Sequence, residues 1–206
     1  MAVTNGYTTL RKLARSVGIP EGDPLDDELL EDAINAASRQ IDGYCGQRFY
    51  QDSSVTTRYF TAYGGVVDLT EGGVGGISTS TGLIVATDDT GALTYGTTWA
   101  TTDYRLLPLH AANDSMPWTE LARSPVGNYA FPTDEHAVKI TAKFGWAATP
   151  DDIERACLIV ATDLFKAKDA AFGVAGVGDL GVLRVQGSMN RIAKGLLAPY
   201  RLPAVG

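Results

Sequence analysis

The sequence predicts an α+β protein: a small bundle of about four helices, with a β-rich insertion between the second and third, the two long ones. Three observations carry this. Leu30, Ala33, Ile34, Ala37, Ile41 and Tyr44 recur at spacings of three and four, the stripe of an amphipathic helix, with Cys45 at its edge. Ile153, Ala156, Cys157, Val160, Ala161, Leu164 and Phe165 form a second, matching stripe, and two such stripes bury each other. Between them, from about Ser53 to Trp146, Thr, Val, Tyr and Gly dominate and the apolar period shortens towards two, as strands require. Residues 1–52 and 147–206 are therefore read as a helical core and 53–146 as the insertion. Within that core Leu30, Ile34, Ile41, Tyr44, Cys45, Cys157, Val160 and Leu164 are the expected packing residues.

In chain order, a short helix comes first. Thr8 or Thr9 caps it, Leu10, Leu13, Ala14 and Val17 are its apolar side, and Gly18 with Pro20 ends it. The long helix follows from Pro24 or Asp26 to Tyr44, roughly 28 Å at 1.5 Å per residue, with acids in its first turn and Gly46 as its stop. Strands are expected at 55–60, 66–69, 83–87, 93–95, 104–107 and 137–144. Gly64-Gly65, the run EGGVGG, Asp89-Thr90-Gly91 and Asn113-Asp114 supply turns between them. Thr149 and Pro150 then open the third helix. The stretch GVAGVGDLG reads as a loop, 182–185 as a short extended piece, and 188–197 as a last helix stopped at Pro199. Its apolar side, Met189, Ile192, Ala193, Leu196 and Leu197, is short, so it gains from a partner.

The totals narrow the class. A chain of 206 residues, 45% apolar and 20% charged, has the composition of a folded protein with a real core. No apolar run approaches the ~20 residues of a membrane span, and the first residues lack the apolar segment of a signal peptide. No membrane partner and synthesis in a cytoplasm are expected. Two cysteines, each on the apolar side of a helix, read as buried reduced thiols. The net charge of -7 makes tight nucleic-acid binding a poor expectation, since that affinity comes from many Lys and Arg. The charge is uneven: seven acids fall between Glu21 and Asp32, whereas after Asp179 there is no acid and Arg184, Arg191, Lys194 and Arg201 remain. Such a basic end on an acidic body suits docking onto another acidic protein or onto a neighbouring copy.

Chemical motifs are sparse. Gly176, Gly178 and Gly181 spell G-x-G-x-x-G, but they follow a helix and lead into LRVQG, so they read as a Gly-rich loop and no cofactor is expected. His110 and His136 are the two imidazoles; neither sits in a metal-spaced pair, and there is no C-x-x-C or G-x-S-x-G. A small enzyme using one of them beside carboxylates of the insertion, or a host-directed binding module built on the β-rich segment, are the alternatives to a structural role.

Several pieces resemble, in order, the head-to-tail connector (adaptor) family of tailed bacteriophages. They are TTLRKLARSVGIP, DDELLEDAINAASRQIDGYCGQRFY, ITAKFGWAATPDDIERACLIVATDLFKAKDAA, and IAKGLLAPYRL after the glycine-rich loop. The motif positions are Tyr44, Cys45, Gly46, Arg48 and Phe49; Gly145, Trp146, Pro150, Asp152 and Ile153; and Leu196, Leu197, Pro199, Tyr200 and Arg201. The resemblance covers about half the chain, at both ends. It implies a non-enzymatic virion protein of the head-tail neck that forms a dodecameric ring beneath the portal and a platform for the next head-completion or tail-side neck protein. Genomic DNA would pass through its lumen without specific binding. In the family the C-terminal helix and tail reach the portal, which carries over here to Arg191, Lys194, Leu196, Leu197, Tyr200 and Arg201. The chain departs from the family in the length of its β-rich segment, which leaves open whether 53–146 meets ring neighbours or the next tail-side ring.

Overall fold

Four helices form where capping and apolar spacing agree. The computed structural model describes residues 2–20, 24–167 and 189–203. Helix α1 spans Leu10–Val17; the Thr9 side chain accepts from the Lys12 N–H, and Gly18, at φ 78°, closes it with a bond to the Ala14 carbonyl. Helix α2 spans Pro24–Cys45, 22 residues and about 33 Å. Helix α3 spans Asp151–Ala167 and opens with Asp151, Asp152 and Glu154, acids that the positive end of the helix dipole favours. Helix α4 spans Arg191–Leu197 and passes into a 3-10 turn, Ala198–Tyr200. It starts later than the expected 188, and the Gly-rich loop and the extended piece at 182–185 lie outside the described residues.

The chain divides into two compact units, 1–46 with 149–206, and 47–148. In the first, α3 packs against α1, α2 and α4. Leu30, Ile34, Ile41, Ile153, Ala156 and Cys157 are completely buried, and Cys45 and Val160 nearly so. One expected core residue is a correction: Leu164 is 39% exposed. It keeps the angular position of the stripe, and Phe165 beside it is buried, so at this end of α3 the angle of the stripe alone does not decide burial. Tyr44 is only half-buried, with the Arg201 guanidinium 5.0 Å over its ring. Residues 4–7 run along α2, an arrangement no periodicity announced: the Thr4 N–H donates to Asn35 (3.0 Å), the Tyr7 N–H to Ser38 (3.1 Å) and the Tyr7 hydroxyl to Asp42.

The second unit holds eight strands: β1 Thr56–Phe60, β2 Ala62–Tyr63, β3 Val66–Asp68, β4 Ile84–Thr87, β5 Thr97–Thr98, β6 Tyr104–Leu107, β7 Glu120–Arg123 and β8 Val138–Ala142. They make two antiparallel four-stranded sheets, ordered β1-β8-β4-β5 and β2-β3-β7-β6. The chain changes sheet at Thr61, between β1 and β2. Strand β8 shows the period of two plainly: Val138, Ile140 and Ala142 are buried, while Lys139 and Thr141 alternate with them. Residues of both sheets, including Phe60, Val67, Val85, Leu121, Ile140 and Phe144, share one apolar cluster. Trp99 stacks on Phe131 at 4.3 Å, Trp146 tilts against Phe49 at 5.5 Å, and Trp118 packs on the same cluster.

The strand expected at 93–95 is absent. Asp88 is buried and its carboxylate accepts from Thr90 N–H (3.0 Å), Thr90 hydroxyl (2.7 Å) and Leu93 N–H (2.5 Å), which curls the chain and leaves Leu93 and Tyr95 at positive φ. These bonds, the Thr90 hydroxyl first, hold the Asp88 carboxyl below its ordinary pKa. Strand β7 was not expected, because Glu-Leu-Ala-Arg is a helix-favouring sequence; pairing with β3 and β6 on either side decides its conformation.

Gly145 fixes where the β unit closes. Its φ is 108°, its N–H donates to the Gly76 carbonyl at 2.7 Å, and a Cβ there would stand 2.0 Å from the Tyr50 carbonyl oxygen. Replacing Gly145 by Ala is expected to cost on the order of 3 kcal/mol or more, read as a fall in the urea midpoint of the β unit. Ile41→Ala is expected to cost ~2–5 kcal/mol and Leu164→Ala less than ~1 kcal/mol; comparable losses at the two positions in urea titrations would contradict the burial described.

Candidate docking face of the terminal helix

Asn190 both starts and tethers α4. Its Oδ1 accepts from the Ile192 N–H at 2.9 Å, and its Nδ2 donates to Asp163 of α3 at 3.0 Å. One cap therefore orders the helix and ties it down. Ala193 and Leu197 are completely buried, one turn apart on the face towards α3. Lys194 and Leu196 flank this face half-buried, and Arg191, Ile192 and Gly195 form the outer arc. Beyond the 3-10 turn the Leu202 N–H donates to the Cys45 carbonyl at 2.8 Å, so the tail crosses the end of α2.

The six residues carried over from the resemblance are thus split by the helix. Arg191 and Arg201 are exposed, Lys194, Leu196 and Tyr200 half-buried, and Leu197 is turned into its own unit. The helix is already folded against α3, whereas its short apolar side pointed to ordering on a partner. Among the described residues Arg191 and Lys194 meet no carboxylate. Ile192, 67% exposed beside Arg191, is the residue that sequence reasoning placed on the wrong side. Its signal was available: with Ala193 and Leu197 inward, a 100° step per residue puts Ile192 outside. Tyr200 is pushed up from its ordinary pKa by burial and by Asp152 beside it, so its hydroxyl stays a neutral donor.

Cys45 and Cys157 are buried free thiols. Burial, with Asp42 adding to it against Arg201, pushes Cys45 up to about 12; burial likewise raises Cys157, opposed by its bond with Ser38. A thiol held protonated is a poor nucleophile.

The other candidates lie in the β unit. His136 is exposed and lines an open hollow of about 820 Å³ with Arg58, Tyr59, Leu93, Tyr95 and Glu135. His110, also exposed, lies in the loop after β6 and is not part of that lining. Among the described residues no group of three or more His, Cys, Asp or Glu stands close enough to hold a metal ion, and no helix is long and apolar enough to cross a membrane.

No protein-family model matches the sequence, and a comparison with curated protein sequences also returns no match. Solved structures do match. A chain in the neck of an empty GTA particle computed with C6 symmetry is 17% identical at a TM-score of 0.57. A chain in the neck of a native GTA particle computed with C12 symmetry is 20% identical at 0.53. A chain in the virion of a native gene transfer agent (GTA) particle is 16% identical at 0.54. Each match covers 100% of this chain and 94% of the other. At such identities the shared property is the fold.

Neither thiol is expected to react with a maleimide or an aromatic disulfide reagent at pH 8 in the folded protein, while both react once urea unfolds it. Rapid labelling of Cys45 under native conditions would contradict its place beneath the tail.

Proposed function

We propose that this chain is a structural protein of a virion neck, a head-to-tail adaptor that forms a ring beneath the portal and offers a platform to the next neck or tail component. The observation that carries the reading is the fold shared from end to end with chains of two particle necks and a virion. It meets the ordered series of sequence pieces at both ends of the chain, an independent line. The symmetries of those necks, C6 and C12, favour a closed ring of copies, dodecameric in the simplest case. In this reading the four helices are one bundle interrupted by the β unit, and the chain carries no catalytic role.

Portal docking falls to the outer arc of α4. Arg191, Lys194 and Arg201 supply positive charge and Ile192 supplies exposed apolar surface, with Leu196 and Tyr200 on the flanks and Leu197 acting as the inner anchor that holds the face in place. Arg191 and Lys194, which meet no carboxylate among the described residues, beside an apolar anchor have the composition of a recognition surface, where the charges set approach and register and the apolar contact resists dissociation. The acids of α2, including the exposed Glu28 and Asp32, suit a wall past which DNA slides, because like charge repels phosphate.

The double variant Arg191→Glu, Ile192→Asp keeps every buried contact of α4, so its urea midpoint is expected to stay close to that of the unaltered protein. Its co-sedimentation with portal particles is expected to fall about tenfold or more. Undiminished binding would remove the docking role, and absence of the chain from the necks of purified particles would remove the function itself.

A further inference from the structure

The first residues form a strap along α2 that the neck reading does not use. Asn35 accepts from the Thr4 N–H at 3.0 Å and donates to the Ala2 carbonyl at 3.4 Å. One turn on, Ser38 accepts from the Tyr7 N–H at 3.1 Å, and Arg39 donates from Nη2 to the Asn5 carbonyl at 3.0 Å. The course of this strap dictates two of its residues. Asn5 stands at φ 50°, a left-handed conformation that Asn adopts more readily than most residues with a side chain. At position 6 a Cβ would overlap Val3 Cγ1 and stand 2.8 Å from Cγ2 of the completely buried Ile34, so glycine is the residue that fits. The backbone therefore imposes the pair Asn-Gly, which occurs nowhere else in the chain.

That pair carries its own chemistry. The Gly6 nitrogen, having lost its proton to hydroxide, attacks Asn5 Cγ. The new N–Cγ bond forms, the Cγ–Nδ2 bond breaks, and the leaving nitrogen takes a proton from water and departs as ammonia, which closes a five-membered imide. Water then opens the ring at either carbonyl. One opening gives aspartate; the other gives isoaspartate, whose main chain runs through Cβ. No electrons are exchanged, and water is the sole co-reactant.

Three features favour this reaction at Asn5. The residue is exposed, and its carboxamide has no hydrogen-bond partner among the described residues. The Gly6 N–H is likewise unbonded among them, and without a Cβ its approach is open. Arg39, moreover, bonds the carbonyl oxygen of the same peptide unit whose N–H must ionise. Charge on the ionised peptide spreads onto that oxygen, so a cation held there stabilises it as an oxyanion donor does. Asp42 holds the guanidinium from its Nε side at 3.0 Å. The other asparagines lack this combination. Asn35 and Asn190 are bonded through both ends of the carboxamide, Asn128 donates to Asp103 at 3.4 Å, and after Asn113 the Asp114 N–H is committed to the His110 carbonyl at 3.1 Å.

We propose that Asn5 is a site of spontaneous deamidation built into the fold, at which Arg39 promotes attack of the Gly6 nitrogen on Asn5 Cγ. The product places a new carboxylate on the strap. In the isoaspartate form the main chain between Asn5 and Gly6 is also one atom longer, so the Thr4 and Tyr7 N–H groups no longer meet Asn35 and Ser38 in step.

The test keeps the full chain at pH 8 and 37 °C, folded or in urea, and follows its peptides by mass spectrometry, with isoaspartate read by enzymatic methylation. In the folded protein Asn5 is expected to convert about tenfold faster than any other asparagine. Equal conversion at Asn113 would overturn the proposal without any variant. Arg39→Gln is expected to slow Asn5 about tenfold in the folded protein, less than the ~10²–10³-fold of a buried oxyanion donor because Arg39 is exposed, and to leave the rate in urea unchanged. A folded rate that stays the same, or that rises to the urea value because Arg39 merely ties the strap down, would overturn it. Asn5→Gln, whose longer amide would have to close a six-membered ring, is expected to leave the strap peptide unaltered; product from that peptide at the unaltered rate would also overturn it. None of these outcomes depends on the neck reading.

Discussion

The fold depends on α2 and α3 burying each other although a hundred-residue unit separates them in sequence. Leu30, Ile34 and Ile41 from one side and Ile153, Cys157 and Val160 from the other leave almost nothing exposed. Contacts this distant carry a loop-closure cost that grows with the logarithm of the intervening chain. The β unit shortens that loop by tying its own ends: the Asp52 N–H donates to the Phe144 carbonyl at 2.8 Å, and the Gly145 backbone lies against Tyr50. Once it is folded, the free chain between the helices falls from about a hundred residues to about ten, a saving of roughly 2 kcal/mol. Strands forming before the helices dock is the order this economy favours.

Much of the helical unit was legible because one signal, the apolar stripe, coincides with burial. Leu30, Ile34, Ile41, Cys157 and Val160 follow it, and Thr9, Gly18 and the acids of α3 mark the ends by cap and dipole chemistry. The stripe failed at Leu164, which keeps its angle yet is exposed while Phe165 beside it is buried, and at Ile192, where the arc of a short helix that turns inward excludes it. In the β unit, β1, β4 and β8 were legible from β-branched alternation. Strand β7 was not, since its residues favour helix and its neighbours decide, among them β3, far earlier in the sequence. The false strand at 93–95 came from apolar residues that an Asp88 side chain, rather than a ladder, organises. The hollow beside β1 gathers residues from four separate segments, and no local pattern could assemble them.

The terminal helix has one arc committed to its own unit and one left to solvent. Its inner residues, Ala193 and Leu197, with Asn190 and the Leu202 N–H, are committed to the unit, so the outer arc is presented at a fixed angle. A preorganised face loses less entropy on association than a loose arm would. The unpartnered charge left outside is then available for a surface of opposite sign, in a chain that is otherwise acidic.

The placement of the aromatic residues has an optical consequence. Trp99, Trp118 and Trp146 are the chain's three tryptophans, and all fall in the 47–148 unit, whereas α1 to α4 all fall in the other. Indole emission therefore reports the sheets alone, and far-ultraviolet circular dichroism is dominated by the helices. Melting of either half can be followed in an unlabelled sample, each through its own spectroscopic channel.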